Sequence, residues 1–331
     1  MTSATPKPRL IVVAPVYNES EVIERFYDRT KLALDALGDR CESSILFVVD
    51  RSTDGTLDIL LRLAARDPAV RVIALSSRFG HQMSLLAGID AATDADAIVM
   101  MDSDLQHPPE LISVFLDRFE AGNDVVHTVR VTTEGSSAAR RAAGGAFYRL
   151  MSLLSDSRIT PNVADFRLIS QRVATIVRED IRERNLFLRG IFSWIGFDQC
   201  YVEYTAAERA GGKSKYSLGR MARLAAAGIL SFSTRPLQLS IYVGMGMALL
   251  GFLIGIYAIL EYLTATDLPS GWTTLVTLIV FFSGIQLVFM GILGIYVGAI
   301  YEEVKGRPHY VVERYVNFPA PPGRGTRPTV N

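Results

Sequence analysis

The chain has 331 residues, with 34 Lys plus Arg against 34 Asp plus Glu, a hydrophobic fraction of 49% and a mean hydropathy of +0.24. Balanced charge excludes the global basic field that gathers nucleic acid, so any anion site must be local. The two cysteines, Cys41 and Cys200, form no C-x-x-C pair, which argues against a disulfide framework or zinc site and for a reduced, cytosolic main domain.

The apolar run Leu10–Pro15 is too short and wrongly flanked for a signal peptide, so the N-terminus is expected to stay in the cytoplasm. From Leu10 to about Ser170, short runs rich in Val and Ile alternate with amphipathic stretches, the pattern of parallel strands joined by helical crossovers. Strands are expected at Leu10–Pro15, Ser44–Asp50, Val70–Leu75, Ala97–Met101 and Asp124–Val129. Helices are expected near Glu19–Leu37, Asp54–Arg66, Gln82–Ala92 and Pro108–Ala121. Polar residues gather just past the strand ends: Tyr17, Asn18 and Glu19, then Asp50 and Ser52, then Asp102 and Asp104. In open α/β sheets the ligand crevice lies there.

Asp102 and Asp104, at i and i+2 after a buried strand, have the spacing that suits Mg²⁺ or Mn²⁺, which takes few carboxylates and leaves positions for diphosphate oxygens. An Asp-x-Asp pair is also a common solvated loop, but here the helix-starting Pro108-Pro109-Glu110 follows. The turn Ala14–Glu19 is expected to open a helix whose free N–H groups and capping carboxylate receive a nucleotide; an ordinary N-cap fits the same residues.

Leu237–Leu263 holds one charge, Glu261, and Thr273–Tyr301 holds none, so both are long enough to span a bilayer with tilt; two buried core helices are the alternative. Glycines at 244, 246, 251 and 255, and at 284, 291, 294 and 298, would allow close helix contact within or between chains. The loop Thr264–Trp272 lacks Lys and Arg, whereas Arg220, Arg223 and Arg235 precede the hairpin and Lys305, Arg307 and Arg314 follow it. The positive-inside rule then sets both termini in the cytoplasm. Apolar residues from Leu218 to Phe232 repeat at helical spacing, as in a helix lying in the headgroup layer or a plain packing helix. The expected organisation is a catalytic α/β domain over 1–216, a juxtamembrane helix over 217–236, a transmembrane hairpin over 237–301 (237–263 and 273–301) and a tail over 302–331.

Pro15-Val16-Tyr17-Asn18-Glu19, Asp50 with Ser52-Thr53-Asp54-Gly55-Thr56, Asp102-Ser103-Asp104-Leu105-Gln106, and Asp165-Phe166-Arg167-Leu168 resemble, in this order, the motifs of family 2 glycosyltransferases with a GT-A fold. The chain most resembles the polyisoprenyl-phosphate branch, related to dolichol-phosphate mannose synthase, whose bacterial members add two C-terminal transmembrane helices. The likeness runs from Leu10 to about Val316 and includes Tyr301–Pro308.

The resemblance implies a Rossmann-like, mostly parallel sheet and inverting transfer of a hexose from a nucleotide-sugar donor to a polyprenyl phosphate acceptor at the inner membrane. UDP-glucose is the expected donor, with GDP-mannose the alternative. Pro15, Tyr17, Glu19, Asp50 and Asp102 would bind the nucleotide-sugar, Asp102, Asp104 and Gln106 the metal, and Arg130, Arg141, Arg189, Lys215 and Ser217 the acceptor phosphate. Asp104 and Asp165 would be catalytic, Asp165 by taking a residual proton or orienting the acceptor. The glycine-lined hairpin and the resemblance together point to a homo-oligomer of tetramer size.

The chain departs from the family pattern at Val49 and Arg51, which flank Asp50 where Asp and Gly are usual, at Arg78 in place of an Asn, and at His107 in place of an Asp. His107 and His81 lack metal-ligand spacing and are expected at the site's edge. A processive polysaccharide synthase would need more spans and a Gln-x-x-Arg-Trp motif, which neither Trp194 nor Trp272 supplies. An inactive scaffold has no use for the acidic pair. A nucleotidyltransferase would need a Gly-rich phosphate loop with a downstream Lys.

Overall fold

The computed structural model describes residues 7–131, 163–184, 186–205, 235–264 and 271–318. Arg141, Lys215 and Ser217 lie outside the described residues, as does almost all of the expected juxtamembrane helix. The chain divides into two units, one of residues 1–144, 158–216 and 307–331, the other of 145–157 and 217–306.

The first unit is built on a sheet of strands β1 (Arg9–Val16), β2 (Glu42–Val49), β3 (Val70–Leu75), β4 (Ala97–Met100), β5 (Val125–Arg130), β6 (Val163–Ser170), β7 (Gln199–Tyr204) and β8 (Val312–Val316). The order is β7-β5-β6-β4-β1-β2-β3-β8. Strands β4, β1, β2 and β3 run parallel, β5 runs parallel to β7, β6 is antiparallel to both β4 and β5, and β8 is antiparallel to β3. The central strands are apolar throughout because crossover helices cover both faces; Leu10–Ala14 and Ile45–Val49 are all buried. The helices are α1 (Ile23–Asp35), α2 (Thr56–Arg66), α3 (His81–Ala91), α4 (Ile112–Glu120), α5 (Gln171–Glu179) and α6 (Leu188–Trp194). This is the mostly parallel, Rossmann-like α/β architecture expected of the GT-A resemblance.

All five expected strands are present within two residues of their expected ends. Helix α1 starts at Ile23 instead of Glu19; Asn18 turns at a positive φ of 54°, and a turn in which the Glu19 carbonyl accepts the Val22 and Ile23 N–H groups leads into the helix. Helix α3 is buried almost all round, and a Cβ at Gly88 would fall on Val13 Cγ1 of β1. Glycine there lets the helix lie against the strand. The segment after residue 302, expected as a tail, supplies the edge strand β8.

In the second unit, α7 (Arg235–Thr264) and α8 (Trp272–Val304) are the two expected apolar helices. Ser240–Tyr257 and Thr277–Val304 are each long and apolar enough to cross a membrane, and none of either window is buried. Phe252, Tyr257, Leu287 and Val297 are all more than 60% exposed, so neither helix is a buried core helix of the described chain. A Cβ on any of the eight glycines would meet nothing within 4 Å, so among the described residues they mediate no close helix contact.

Candidate active site

The β1 loop, Tyr17–Glu19, is scaffolded by the turn after β2. Asn18 N–H donates to Ser52 Oγ (3.1 Å), Glu19 N–H to Thr56 Oγ1 (3.0 Å) and Ser20 N–H to the Asp54 carboxylate (3.1 Å). Asn18 Oδ1 accepts from Thr53 N–H at 2.8 Å. The residues Ser52–Thr56 therefore hold the first loop in shape. The expectation that this loop's N–H groups receive a nucleotide is corrected, because neighbouring side chains already occupy them. What the loop presents to the cavity is Pro15, Tyr17 and Glu19.

Asp50, 4% exposed, accepts Phe79 N–H at 2.7 Å and Gly80 N–H at 2.9 Å. It fixes the β3–α3 loop while still bordering the cavity, and each oxygen retains a second lone pair. Arg51 does not line the cavity; its guanidinium donates to the Ser76 carbonyl at 2.6 Å.

After β4, Ser103 Oγ donates to the Pro15 carbonyl (3.1 Å) and Asp104 Oδ1 accepts Gln106 N–H (3.1 Å) around Leu105, whose φ of 63° is unusual for a branched side chain. The His107 ring closes this turn by accepting Asp102 N–H on Nδ1 at 3.1 Å. That bond requires an unprotonated Nδ1, so the 3.9 Å approach of Asp102 is not an ion pair. Burial holds His107 below its ordinary pKa, and its ring stacks on Phe166 at 5.0 Å. Expected at the site's edge, His107 lines the cavity and also braces the acidic loop.

The other side comes from β5, β6, α6 and β7. Because β6 is antiparallel to β4, its first residues reach the edge where β4 ends. Asp165 there receives Arg189 of α6 through two bonds, 3.2 and 2.8 Å, with Arg167 Nη2 at 3.4 Å and His81 Nε2 at 3.6 Å. Burial alone would raise its pKa, but His81, Arg189 and Arg167 outweigh burial and hold the carboxyl far below the usual range. Asp165 is therefore a fixed anion and a poor proton acceptor. His81 also lies 3.5 Å from Asp102; burial opposes its charge, yet Asp165 and Asp102 raise it above the ordinary value.

Below this cluster lie Arg167 (1% exposed) and His127 (0%), whose Nε2 meets Gln199 and whose Nδ1 has no hydrogen-bond partner among the described residues. Burial, then the Arg167 charge, lowers His127 to about 4. Unfolded chains take up that proton near pH 6.5 and the native state only near pH 4, so stability falls on acidification through that window. Between pH 7 and 5 denaturant unfolding is expected to lose about 2 kcal/mol through this residue. His127→Gln should flatten that loss; an unchanged acid slope would refute the assignment.

These walls enclose one open cavity of about 880 Å³, in the range of roughly 300–1,000 Å³ usual for ligand sites. It brings together every described member of the expected set: Pro15, Tyr17, Glu19, Asp50, Asp102, Asp104, Gln106, Arg130, Asp165 and Arg189. Ser84 and Tyr204 also line it and carried no sequence signal as site residues; Arg78 lines it too, a position the sequence marked only as a departure from the family pattern. Asp102, Asp104 and the Gln106 amide are the hard oxygen donors a Mg²⁺ or Mn²⁺ ion accepts. Among the described residues no three His, Cys, Asp or Glu side chains are grouped so as to hold an ion.

The sequence profile of glycosyl transferase family 2 matches residues 11–176. The chain is 39% identical to an uncharacterized glycosyltransferase, YkcC, of Bacillus subtilis, over 92% of this chain and 93% of that one. It is 38% identical to the SfII prophage-derived bactoprenol glucosyl transferase of Shigella flexneri, over 92% and 98%, and 38% identical to the prophage bactoprenol glucosyl transferase homolog of Escherichia coli, over 92% and 99%. Among solved structures, glucosyl-3-phosphoglycerate synthase of Mycobacterium tuberculosis with Mn²⁺, UDP and phosphoglyceric acid is a distant neighbour. It has 21% identity and a TM-score of 0.45, over 68% of this chain and 78% of that one. With a profile match across half its length and relatives spanning nine-tenths of it, the chain belongs to glycosyl transferase family 2.

Proposed function

We propose that the protein transfers glucose from UDP-glucose to a polyisoprenyl phosphate, with inversion at the anomeric carbon, using Mg²⁺ or Mn²⁺. The observation that carries this reading is the order of groups around one cavity. Tyr17, Glu19 and Asp50 stand on the β1–β2 side, Asp102 and Asp104 in the middle, and Arg130 and Arg189 on the β5–β6 side. Glucose and the polyprenyl acceptor are supported by the relatives named bactoprenol glucosyl transferase.

Pro15, Tyr17, Glu19 and Asp50 hold the nucleoside, and Asp102, Asp104 and Gln106 hold the cation. The cation's contribution when bound is to neutralise charge gathering on the leaving diphosphate. Arg130 and Arg189 receive the acceptor phosphate, to which a guanidinium fork is matched. A phosphate oxygen bonds to the anomeric carbon while the bond to the diphosphate breaks and its electron pair leaves with the diphosphate. With a second pKa of about 6, the acceptor phosphate is already largely dianionic near neutral pH and needs no general base. Asp165 accordingly orients Arg189 and takes no proton. A polyprenyl tail loses ~0.8 kcal/mol per CH₂ drawn from the bilayer, so the enzyme goes to the phosphate. Two spans across the inner membrane, with both termini cytoplasmic, meet that need.

The test is transfer of radiolabelled sugar from a panel of UDP- and GDP-sugars to polyprenyl phosphate in detergent, with and without EDTA. A lipid product from UDP-glucose, lost with EDTA, is expected. A folded protein that binds nucleotide but makes no lipid product from any donor would sink the transferase reading.

A further inference from the structure

Arg130 ends β5, and Arg189 of α6 is bound to Asp165 at the start of β6, whereas Arg78 lines the same cavity from the loop after β3. In the sheet, β2, β1, β4 and β6 separate β3 from β5. The Arg78 side chain leans on Tyr17 of the loop after β1, whereas Arg130 ends β5, so the two serve different parts of the substrate.

The loop that carries Arg78 is pinned on both sides of it. Ser76 N–H donates to the Val311 carbonyl (2.9 Å), and Arg51 donates to the Ser76 carbonyl (2.6 Å). Phe79 and Gly80 donate to Asp50, and Gly80 turns the chain at a φ of 92°, a conformation that disfavours other residues. Between these fixed points the Arg78 guanidinium lies over the Tyr17 ring, 4.1 Å from its centroid, with no carboxylate or hydrogen-bond partner among the described residues. At that distance the ring covers one side of the guanidinium and leaves it N–H donors for acceptors elsewhere in the cavity. Glu19 and Asp50, which also line the cavity, are acceptors and read only N–H or O–H groups. Arg78 supplies the opposite polarity.

We propose that Arg78, held on Tyr17, is a donor-specificity residue whose in-plane N–H groups bind acceptor oxygens of the nucleobase and ribose of the nucleoside diphosphate. The inference rests on the donor side of the proposed function and adds the residue that reads the nucleoside's acceptors. Its test is calorimetric binding of UMP, UDP and UDP-glucose to the full chain in detergent, for wild type, Arg78→Ala, Arg78→Lys and Tyr17→Leu.

Arg78→Ala is expected to raise Kd about tenfold, the scale of one hydrogen bond from a charged group, by the same factor for all three ligands. The donor KM should rise alike while kcat holds within about twofold. Arg78→Lys, with charge but no planar stack, should recover little, and Tyr17→Leu should weaken all three ligands in parallel. Arg78 is exposed, so these variants should keep the wild-type Tm. Unchanged affinity, a loss that grows with the number of phosphates, or a fall in kcat at constant KM would each overturn the assignment. Wild-type protein that binds none of the three ligands would instead remove the donor reading itself.

Discussion

Asp104→Ala is expected to abolish sugar transfer, lowering kcat/KM at least about 10³-fold, or ~4 kcal/mol in the barrier. The size follows from where charge develops: the leaving diphosphate gains a negative charge, and the proposed cation is held there by only two carboxylates and an amide. Alanine also removes the acceptor for Gln106 N–H, the bond that closes the turn around Leu105 at positive φ. Asp104→Asn separates the two effects. Its amide oxygen can still accept Gln106 N–H, so the loop survives, but the charge is gone. Steady-state transfer assays over a Mg²⁺ and Mn²⁺ titration should find the Asn variant nearly as inactive as the Ala variant. If Asp104→Asn keeps more than about a tenth of wild-type activity, the carboxylate acts through the turn and the proposed metal role fails.

The legibility of this fold varies with burial. Strands β1, β2 and β4 carry runs such as Leu-Ile-Val-Val-Ala, because a strand covered on both faces is apolar along its buried length. Strand β6 escapes such a reading. Val-Ala-Asp-Phe-Arg-Leu-Ile-Ser places Asp165 and Arg167 on one side of the strand, where they meet α6, and Phe166 on the other against Phe115 and His107. Its charges mark the cavity and hide the strand. The site shows the same division. Asp102, Asp104 and Asp50 are recognisable because acidic residues at the ends of buried strands are conspicuous, and all three line the cavity. Tyr204 is not recognisable, and Arg78 stands out in the sequence only as a departure from the family pattern, since the place of each in the site depends on side-chain direction and on strand order. The roles of Ser52 and Thr53 as scaffold for the neighbouring loop are equally invisible, because the residues they bond are 34 and 35 positions away.

The segment read as a tail leads to the second large effect, on stability. Tyr310 donates to Asp90 at 2.5 Å, and Arg182 grips the same carboxylate with bonds of 2.8 and 3.0 Å. Arg184 donates to the carbonyls of Arg307 and Pro308, and Asn317 to those of Ala64 and Val70. Asp90 lies near the C-terminal end of α3, the helix whose N-terminal turn brings His81 and Ser84 to the cavity. Burial, then Asp90, pushes the Tyr310 hydroxyl well above its ordinary pKa, so it stays a donor at any physiological pH. Asp90→Ala would leave Arg182 and Tyr310 facing each other without an acceptor. A fully buried pair broken in this way costs roughly 3–5 kcal/mol; here the Arg182 side chain keeps 37% exposure, so about 2–3 kcal/mol is expected. For a domain of this size that is a fall of roughly 5–10 °C in Tm. Tyr310→Phe should cost about 1 kcal/mol alone and almost nothing on the Asp90→Ala background, because both remove the same bond. Thermal unfolding of the four proteins in one detergent decides the matter. Additive losses, or an Asp90→Ala variant within about 1 °C of wild type, would mean that the segment after α8 rests on the sheet without bracing it.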